Sequence, residues 1–332
     1  MTVSSATLYF NRFCLAEDKV TLELESASQV VDDNAIFLAE QLHNAFVKKG
    51  QKEYCQFTGS SPISAAINES QPIDKLTETI QSRLLAELDA LNLPPETILV
   101  VCKYHHLANE YLLTALLGVK ESVQLADSVQ PMRSQYLDIA NLSLAIQLDL
   151  TELAVNPDAK HAIAYIKSRI GRKVSDFMVE AFAVESKINS KEATIKLVES
   201  VESFIDSSSE DNQKQQAVRE VSVSALKEAA QSGEFMNVKS LAGEIEEKTG
   251  LSGFYEHASK QEDFVEECPV YATATRKMEK FIGQGGGVSI SFNKELLGDS
   301  IEFDAQNKSL TLHKLPPNLL DALQKALKSK QE

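Results

Sequence analysis

The stretch ETILVVCKYHH, residues 96–106, decides the fold of the first half of this sequence. Its Thr, Ile, Leu and Val residues favour a β-strand. EYLLTALLGVK, residues 110–120, follows closely and is a second strand candidate. By periodicity alone the second stretch also fits a buried helix, because a short apolar run does not distinguish the two.

Segments on either side alternate between strand-like and helix-like patterns. Residues 6–15 and 19–26 are rich in β-branched and aromatic residues and predict a hairpin. Residues 32–46 and 73–92 carry apolar residues at helical spacing. Further strand candidates are 122–129, 142–153 and 161–168. Together these patterns predict an α+β fold that begins with a mainly antiparallel sheet and its helices.

The pattern changes near Asn156 and Pro157. After Gly171 the spacing of apolar residues predicts a helix-rich region of about a hundred residues. Residues 283–314 predict a small β unit, and Pro316-Pro317 opens a final helix. A chain of 332 residues suggests two domains. The predicted domains are an α+β domain, 1–158, and a helix-rich domain that includes the β unit, 159–332.

The charge of the chain is unevenly distributed. The whole chain has 33 Lys+Arg and 48 Asp+Glu, a net charge of −15. Residues 1–159 and 174–268 each carry −11, whereas 160–173 carry +5 without a single acid, and 269–332 carry +2. A basic island, residues 160–173, therefore separates two acidic blocks.

Composition and segment patterns narrow the class of protein. Hydrophobic residues make up 43% and charged residues 24%, as in an ordinary globular protein. The N-terminus does not have the pattern of a signal peptide, and no apolar run approaches the roughly 20 residues of a membrane-spanning helix. The four cysteines form no CxxC pair. We therefore expect a cytoplasmic protein with reduced cysteines and no membrane association.

Three stretches carry a family resemblance: YLDIANLSLAIQLDLTEL (136–153), IKSRIGRKVSDF (166–177) and FIGQGGGVSISFNKELLGDSIEFDAQNKSLTLHKLPPNL (281–319). In order and approximate spacing they resemble the bacterial nucleoid-associated protein family NdpA, also called YejK. The resemblance implies a cytoplasmic, nucleoid-associated protein that binds double-stranded DNA, with no enzyme activity and no cofactor. It supplies no set of DNA-contacting residues, so the site must be predicted from physical chemistry.

The basic island is the leading candidate for DNA contact, because DNA affinity comes mainly from phosphates neutralised by Lys and Arg. A helix beginning near Gly171 would add free backbone N–H groups and the positive end of its dipole. Gly171 would let a phosphate approach closely, and Tyr165 could stack at the edge. The candidate residues of the island are Lys160, Tyr165, Lys167, Arg169, Gly171, Arg172 and Lys173, with Lys167, Arg169, Arg172 and Lys173 as the leading backbone contacts.

Two further basic clusters have weaker patterns. Arg276, Lys277 and Lys280 precede a glycine stretch, and the last cluster comprises Lys314, Lys325, Lys328 and Lys330. Lysines at helix ends also complement the helix dipole, which offers a purely structural role. For the basic island the alternative is pairing with the acidic blocks, within the chain or across a dimer.

Other motifs are set aside. GQGGGVS (283–289) precedes a strand, whereas a phosphate-binding P-loop follows one and ends in Gly-Lys-Ser/Thr, so a flexible connector or close backbone packing is favoured. His105 and His106 point to opposite faces of a strand, which disfavours a metal site with Cys102. No catalytic signature is evident.

The sequence therefore predicts a nucleoid-associated protein that binds the DNA backbone electrostatically and with little sequence selectivity. A homodimer would double the basic surface. The alternative is an acidic protein-interaction module that acts on other nucleoid or DNA-processing proteins with little DNA contact of its own.

Overall fold

The computed structural model describes residues 2–16, 19–23, 31–87, 97–125, 130–166, 176–208, 211–261 and 264–328. The chain divides into two compact units. The first comprises 1–193, 229–235 and 269–271, and the second comprises 194–228, 236–268 and 272–332. The division into domains at residue 158 stays a prediction.

The first unit is built on a nine-stranded sheet in which every described strand pair is antiparallel. Its strands are β1 (Val3–Ala16), β2 (Lys19–Glu23), β3 (Lys52–Phe57), β4 (Thr97–His106), β5 (Asn109–Leu125), β6 (Pro131–Leu137), β7 (Leu144–Asp149), β8 (Ile163–Ile166) and β9 (Val184–Asn189). Their order is β2-β1-β4-β5-β7-β8-β3-β9, and β6 extends from β5. The predicted N-terminal hairpin and antiparallel sheet are confirmed.

Strands β4 and β5 lie in the middle of this sheet, and all of β4 pairs with residues 109–118 of β5, with Val101 opposite Thr114. Leu99 and Val101 belong to a core cluster on one face, and Val100 and Cys102 belong to a cluster on the other. Both faces are buried, so alternation disappears and both segments become continuous apolar runs. The ambiguity over residues 110–120 is resolved as strand.

Helices cover the two faces of the sheet. They are α1 (Asp33–Val47), α2 (Pro62–Asn68), α3 (Ile73–Glu87), α4 (Leu150–Val155) and α5 (Asp176–Phe182). Helix α1 begins where the Asp32 carboxylate accepts hydrogen bonds from the backbone N–H groups of Asn34 and Ala35. Its Leu42 and Phe46 pack on one face, while α2, α3 and α5 contribute to the cluster on the other. The result is a three-layer arrangement with the sheet in the middle.

The helix-rich region that was predicted after Gly171 also contains a strand, β9. Helix α5 ends before Ala183, which has a φ of 49°, and the chain then pairs with β3. The buried Glu53 carboxylate accepts hydrogen bonds from Ser186 Oγ at 2.6 Å and from Asn189 Nδ2 at 2.5 Å. These side-chain bonds attach β9 to the edge of the sheet.

Helices dominate the second unit, as predicted. They are α6 (Ser190–Ser208), α7 (Asn212–Ser232), α8 (Val238–Thr249), α9 (Phe254–Ala258), α10 (Arg276–Glu279) and α11 (Pro317–Lys328), and the first residues of α6 and the last of α7 belong to the first unit. Three two-stranded sheets complete the fold: β10 (Phe235–Asn237) with β11 (Glu267–Pro269), β12 (Lys280–Gly285) with β13 (Val288–Asn293), and β14 (Ile301–Asp304) with β15 (Ser309–Leu312). Gly250 ends α8 in the left-handed conformation, as expected of a C-cap. Within the described ranges, none of the helices has the length and apolar character needed to cross a bilayer.

The glycine stretch forms a tight hairpin turn. Gly285 pairs with Val288, and the two residues between them, Gly286 and Gly287, have φ angles of 57° and 80°. Two consecutive positive φ angles define a type I′ turn, the two-residue connection that suits the twist of a β-hairpin. The stretch connects two strands, and its flexibility stays a prediction. The expectation of close backbone packing is wrong at this turn, since among the described residues no atom lies within 4 Å of a Cβ built on either glycine.

A buried histidine links α1 to the sheet. A hydrogen bond of 2.9 Å joins His43 Nδ1 to Tyr104 Oη, which accepts another from Gln147 Nε2 at 2.6 Å. The His43 ring also stacks on His106, with 3.9 Å between centroids. Burial, followed by the charges of His106 and Lys52, lowers the pKa of His43 to about 4. Neutral His43 is therefore part of the folded state.

We predict that this histidine makes the first unit sensitive to mild acid. Below the ordinary pKa of histidine, His43 takes up a proton in the unfolded chain but stays neutral in the folded protein. Stability is therefore lost as the pH falls from about 6.5 towards 4. The free energy of unfolding of the wild type should fall by about 2 kcal/mol between pH 7 and pH 5 from His43 alone. In urea unfolding, the His43→Phe variant should not show this fall in the free energy of unfolding. The His105→Gln variant, changed at an exposed histidine, should still show it. Equal pH dependence in all three proteins would contradict the prediction.

Candidate nucleic-acid interface

Most of the predicted basic island lies outside the described residues. Strand β8 ends at Ile166 and helix α5 begins at Asp176. Lys167, Arg169, Gly171, Arg172 and Lys173 fall between them, in residues 167–175, outside the residues that the structure describes. Their role in DNA contact stays a prediction from sequence.

The two described members of the island differ in exposure. Lys160 is exposed just before β8. Tyr165 is only 6% exposed, because it lies on β8 between β3 and β7, paired with Glu53 and Ile146. The ring belongs to the core cluster of the first unit. It serves the packing of the sheet, and little of its surface is left for stacking on a base.

Arg276, Lys277 and Lys280 are all exposed in the second unit. A 3-10 turn, Ala272–Thr275, leads into the short helix α10, and Met278 is 1% exposed. Met278 anchors this helix in the core, so its basic neighbours point outward. In the described part of the chain none of the three makes an ion pair. We call them the 276–280 cluster; it is the one predicted cluster whose members the structure describes completely.

A groove beside this cluster is electrically balanced. Its volume is about 530 Å³, and its charged lining residues are Arg219, Glu220, Lys227, Glu279, Lys280 and Glu295. Lys227 pairs with Glu279 at 2.6 Å, and Arg219 pairs with Glu202 at 2.8 Å. Most of the positive charge is therefore already compensated, and we do not assign the groove a phosphate.

Glu202 binds two cations at once. Besides the pair with Arg219, its carboxylate forms an ion pair with Lys294 Nζ at 2.7 Å. Lys294 Nζ also lies 5.5 Å from the centre of the Phe281 ring. Burial alone would raise the pKa of Glu202, yet hydrogen bonds from Arg219 and Lys294 outweigh it and hold the pKa below its ordinary value. This pairing fixes the residues after β13 to α6 and α7, so Arg219 and Lys294 are structural.

The C-terminal basic cluster is dispersed. Lys314 is exposed after β15, while Lys325 pairs with Asp321 on the same helix at 2.7 Å. Nothing is described of the side chain of Lys328 or of Lys330. The structure thus adds no support to this third cluster.

The motifs set aside on sequence have structural roles. The glycine stretch joins two strands, which is not the arrangement of a P-loop. Cys102 is fully buried, and His106 stacks on His43. His105 Nδ1 forms a hydrogen bond of 3.1 Å with Ser5 Oγ. Among the described residues, no group of three or more His, Cys, Asp or Glu side chains could hold a metal ion.

Comparison with known proteins identifies the family. The family model described as nucleoid-associated protein YejK matches residues 16–320. A nucleoid-associated protein of Photobacterium profundum is 32% identical over 316 residues, 94% of each chain. One from Aliivibrio salmonicida is 33% identical over 89% of this chain and 88% of its own, and one from Proteus mirabilis is 30% identical over 95% and 96%. The chain belongs to the nucleoid-associated protein YejK family, as its sequence motifs predicted.

We predict that Glu202 is a stability residue. Its ion pairs are less than a quarter exposed on each side, so Glu202→Ala would leave Arg219 and Lys294 poorly solvated and without their partner. The expected loss in free energy of unfolding is about 2 kcal/mol. Arg276→Ala, at an exposed cation, should stay within about 0.5 kcal/mol of the wild type. Equal stability of the two variants in urea unfolding would contradict the structural role.

Proposed function

We propose that this protein binds double-stranded DNA in the bacterial nucleoid through contacts with backbone phosphates and with little sequence selectivity. The observation that carries the proposal is the 276–280 cluster: three exposed cations within five residues, with no ion pair in the described part of an acidic chain. Family membership supports the nucleoid location and, through it, DNA as the partner.

A net charge of −15 does not prevent such binding. Exposed charges further apart than a Debye length, about 8 to 10 Å near physiological salt, are largely screened from one another. A phosphate therefore responds mainly to the cations that touch it. Lysine and arginine contacts release counterions from DNA, and this sets both the affinity and its dependence on salt.

We assign the leading contacts to Lys167, Arg169, Arg172 and Lys173, supported by Lys160. The sequence places five cations and no acid in 160–173, more than in any other acid-free stretch of the chain. The 276–280 cluster is the second contact region. No enzyme activity or cofactor is part of this proposal.

The second candidate function is protein interaction through the acidic helices. Residues 174–268 carry 9 Lys+Arg and 20 Asp+Glu, and many of these acids are exposed on α6, α7 and α8. Such a surface would attract basic regions of other nucleoid or DNA-processing proteins. This role does not require direct DNA contact, so a DNA-binding measurement separates the two candidates.

We predict that binding to a short labelled duplex weakens steeply with salt and depends on both clusters. Fluorescence anisotropy across a salt series gives the slope of the logarithm of the binding constant against the logarithm of the salt concentration. This slope should be shallower by about 2 to 3 for Arg169, Arg172, Lys173→Ala and for Arg276, Lys277, Lys280→Ala. Each triple variant should also lose about tenfold or more in affinity at low salt. The effect should be similar for duplexes of different sequence.

The control removes the same charge without removing a cluster. Lys214, Lys239 and Lys260 are exposed lysines on separate segments of the second unit. Replacing all three by Ala changes the net charge equally and should alter affinity and slope much less. Equal losses in all three variants would mean that net charge alone matters. No binding by the wild type at low salt would reject the DNA proposal in favour of the acidic interaction surface.

A further inference from the structure

Strands β5 and β6 continue past the centre of the sheet as a two-stranded ribbon. Beyond Gly118, β5 pairs with β6 alone among the described strands. We call residues 119–125 and 131–137 the ribbon; its seven residue pairs run from Val119–Leu137 to Leu125–Pro131. At about 3.4 Å per residue it is roughly 20 Å long. Leu137 packs against the core, whereas residues 120–125 and 131–133 are all exposed, so the ribbon is anchored at one end only.

Both faces of the far end of the ribbon are exposed. Directly opposite residues of an antiparallel pair share a face, and successive pairs alternate between the two faces. One face carries Val123, Leu125, Pro131 and Arg133, and the other carries Gln124 and Met132. An isolated two-stranded hairpin is marginally stable in water. A ribbon that covers neither face with its own chain therefore gains most from a partner that encloses it.

The apolar side chains of the ribbon are concentrated at this far end. The last three described pairs contain four apolar residues, of which Val123, Leu125 and Met132 are 50% to 69% exposed. The two preceding pairs, Ser122–Ser134 and Glu121–Gln135, are polar. A flat protein surface would be matched by an apolar stripe along one face. Apolar groups on both faces of a narrow end instead form a wedge, which fits between two parallel surfaces.

The charge of the ribbon allows such a wedge to approach phosphates. Residues 119–137 contain two cations and two acids, so the charge of −11 on residues 1–159 lies elsewhere. One of these acids, Asp127, lies outside the described residues. Lys120 pairs with Asp138 at 2.8 Å, while Arg133 is exposed and makes no ion pair with any described residue. The ribbon is thus a nearly neutral projection with one uncompensated cation beside its wedge.

We propose that the ribbon enters the minor groove of DNA, where Leu125, Pro131 and Met132 unstack a base step and bend the duplex. Two-stranded ribbons enter DNA grooves, and Leu, Met and Pro are among the side chains that wedge between base steps from the minor groove. Gln124 and Arg133 lie next to the wedge and suit the acceptors of this groove and the neighbouring phosphates.

This inference rests on the proposed DNA binding and adds a mode of recognition to it. The basic clusters supply affinity through phosphates, whereas the ribbon responds to how easily the duplex deforms. Unstacking a base step costs free energy, and DNA that is already interrupted avoids most of this cost. The ribbon therefore favours gapped or kinked DNA without reading a base sequence.

The test measures bending by fluorescence resonance energy transfer between the two ends of a labelled duplex of about two helical turns, with saturating full-length protein. The wild type should shorten the end-to-end distance by the amount of a bend between about 20° and 90°. It should bind a duplex with a short central gap on the order of tenfold more tightly than the intact duplex. Leu125, Pro131, Met132→Ser should lose both the bend and this preference. Its affinity for intact duplex should stay within about threefold, because the phosphate contacts remain.

Two controls separate insertion from an altered fold. Phe37, Leu107, Val155→Ser replaces the same number of apolar side chains elsewhere in the first unit, at 54% to 81% exposure, and should bend DNA like the wild type. Leu125→Met combined with Met132→Leu keeps the wedge apolar and should retain the bend. Loss of bending in either control would overturn the assignment to the wedge. Circular dichroism should be unchanged in every variant.

The outcomes distinguish this inference from the DNA proposal itself. Arg276, Lys277, Lys280→Ala should need more protein to saturate the duplex but should bend it equally once saturated. Salt-dependent binding without a bend, or a bend that persists in Leu125, Pro131, Met132→Ser, would overturn the inference and leave the DNA proposal standing. The ribbon would then be a surface for a protein partner. A wild type that binds neither duplex would overturn the DNA proposal and this inference with it.

Discussion

The pairing of β4 with β5 is the contact on which the first unit depends. The central residues of both strands are buried on both faces, and each strand contributes alternate side chains to two separate core clusters. Helix α1 packs on one cluster and helices α2, α3 and α5 on the other, so neither layer has a core without these strands. The remaining strands extend the same sheet outward from this pair. The apolar runs at 96–106 and 110–120 therefore determine the architecture more than any other part of the sequence.

The cations of the second unit are of two kinds, those held in ion pairs and those that make none. Arg219, Lys227 and Lys294 are held by acids at 2.6 to 2.8 Å and thereby connect helices to the β12–β13 region. The 276–280 cluster lies next to these pairs but makes none in the described residues. Proximity in sequence does not distinguish the two kinds of cation; the position of a carboxylate within reach does. A basic pattern in the sequence therefore shows where cations are, but it does not show which of them are free to contact DNA.

Local patterns predicted the elements whose partners are adjacent in the chain. The hairpin of β1 and β2, the final helix α11 and the strands after Val288 follow from spacing and turn residues. Strands β3 and β9 were missed, because their pairing joins residues more than a hundred positions apart and VESKIN has little apolar surface of its own. For the site, the sequence located the basic residues but not the burial of Tyr165 or the pairing of neighbouring cations, which depend on tertiary contacts.

The acidity of the chain and its proposed contact with DNA are linked by electrostatics. A chain of net charge −15 repels DNA wherever its acidic helices face the phosphates, so the proposed binding is confined to surfaces where cations are local and uncompensated. Acidic surface thus contributes selectivity by excluding contacts rather than by making them. Because salt weakens the attraction between the cations and the phosphates, rising ionic strength shifts the proposed balance from DNA-bound towards free protein.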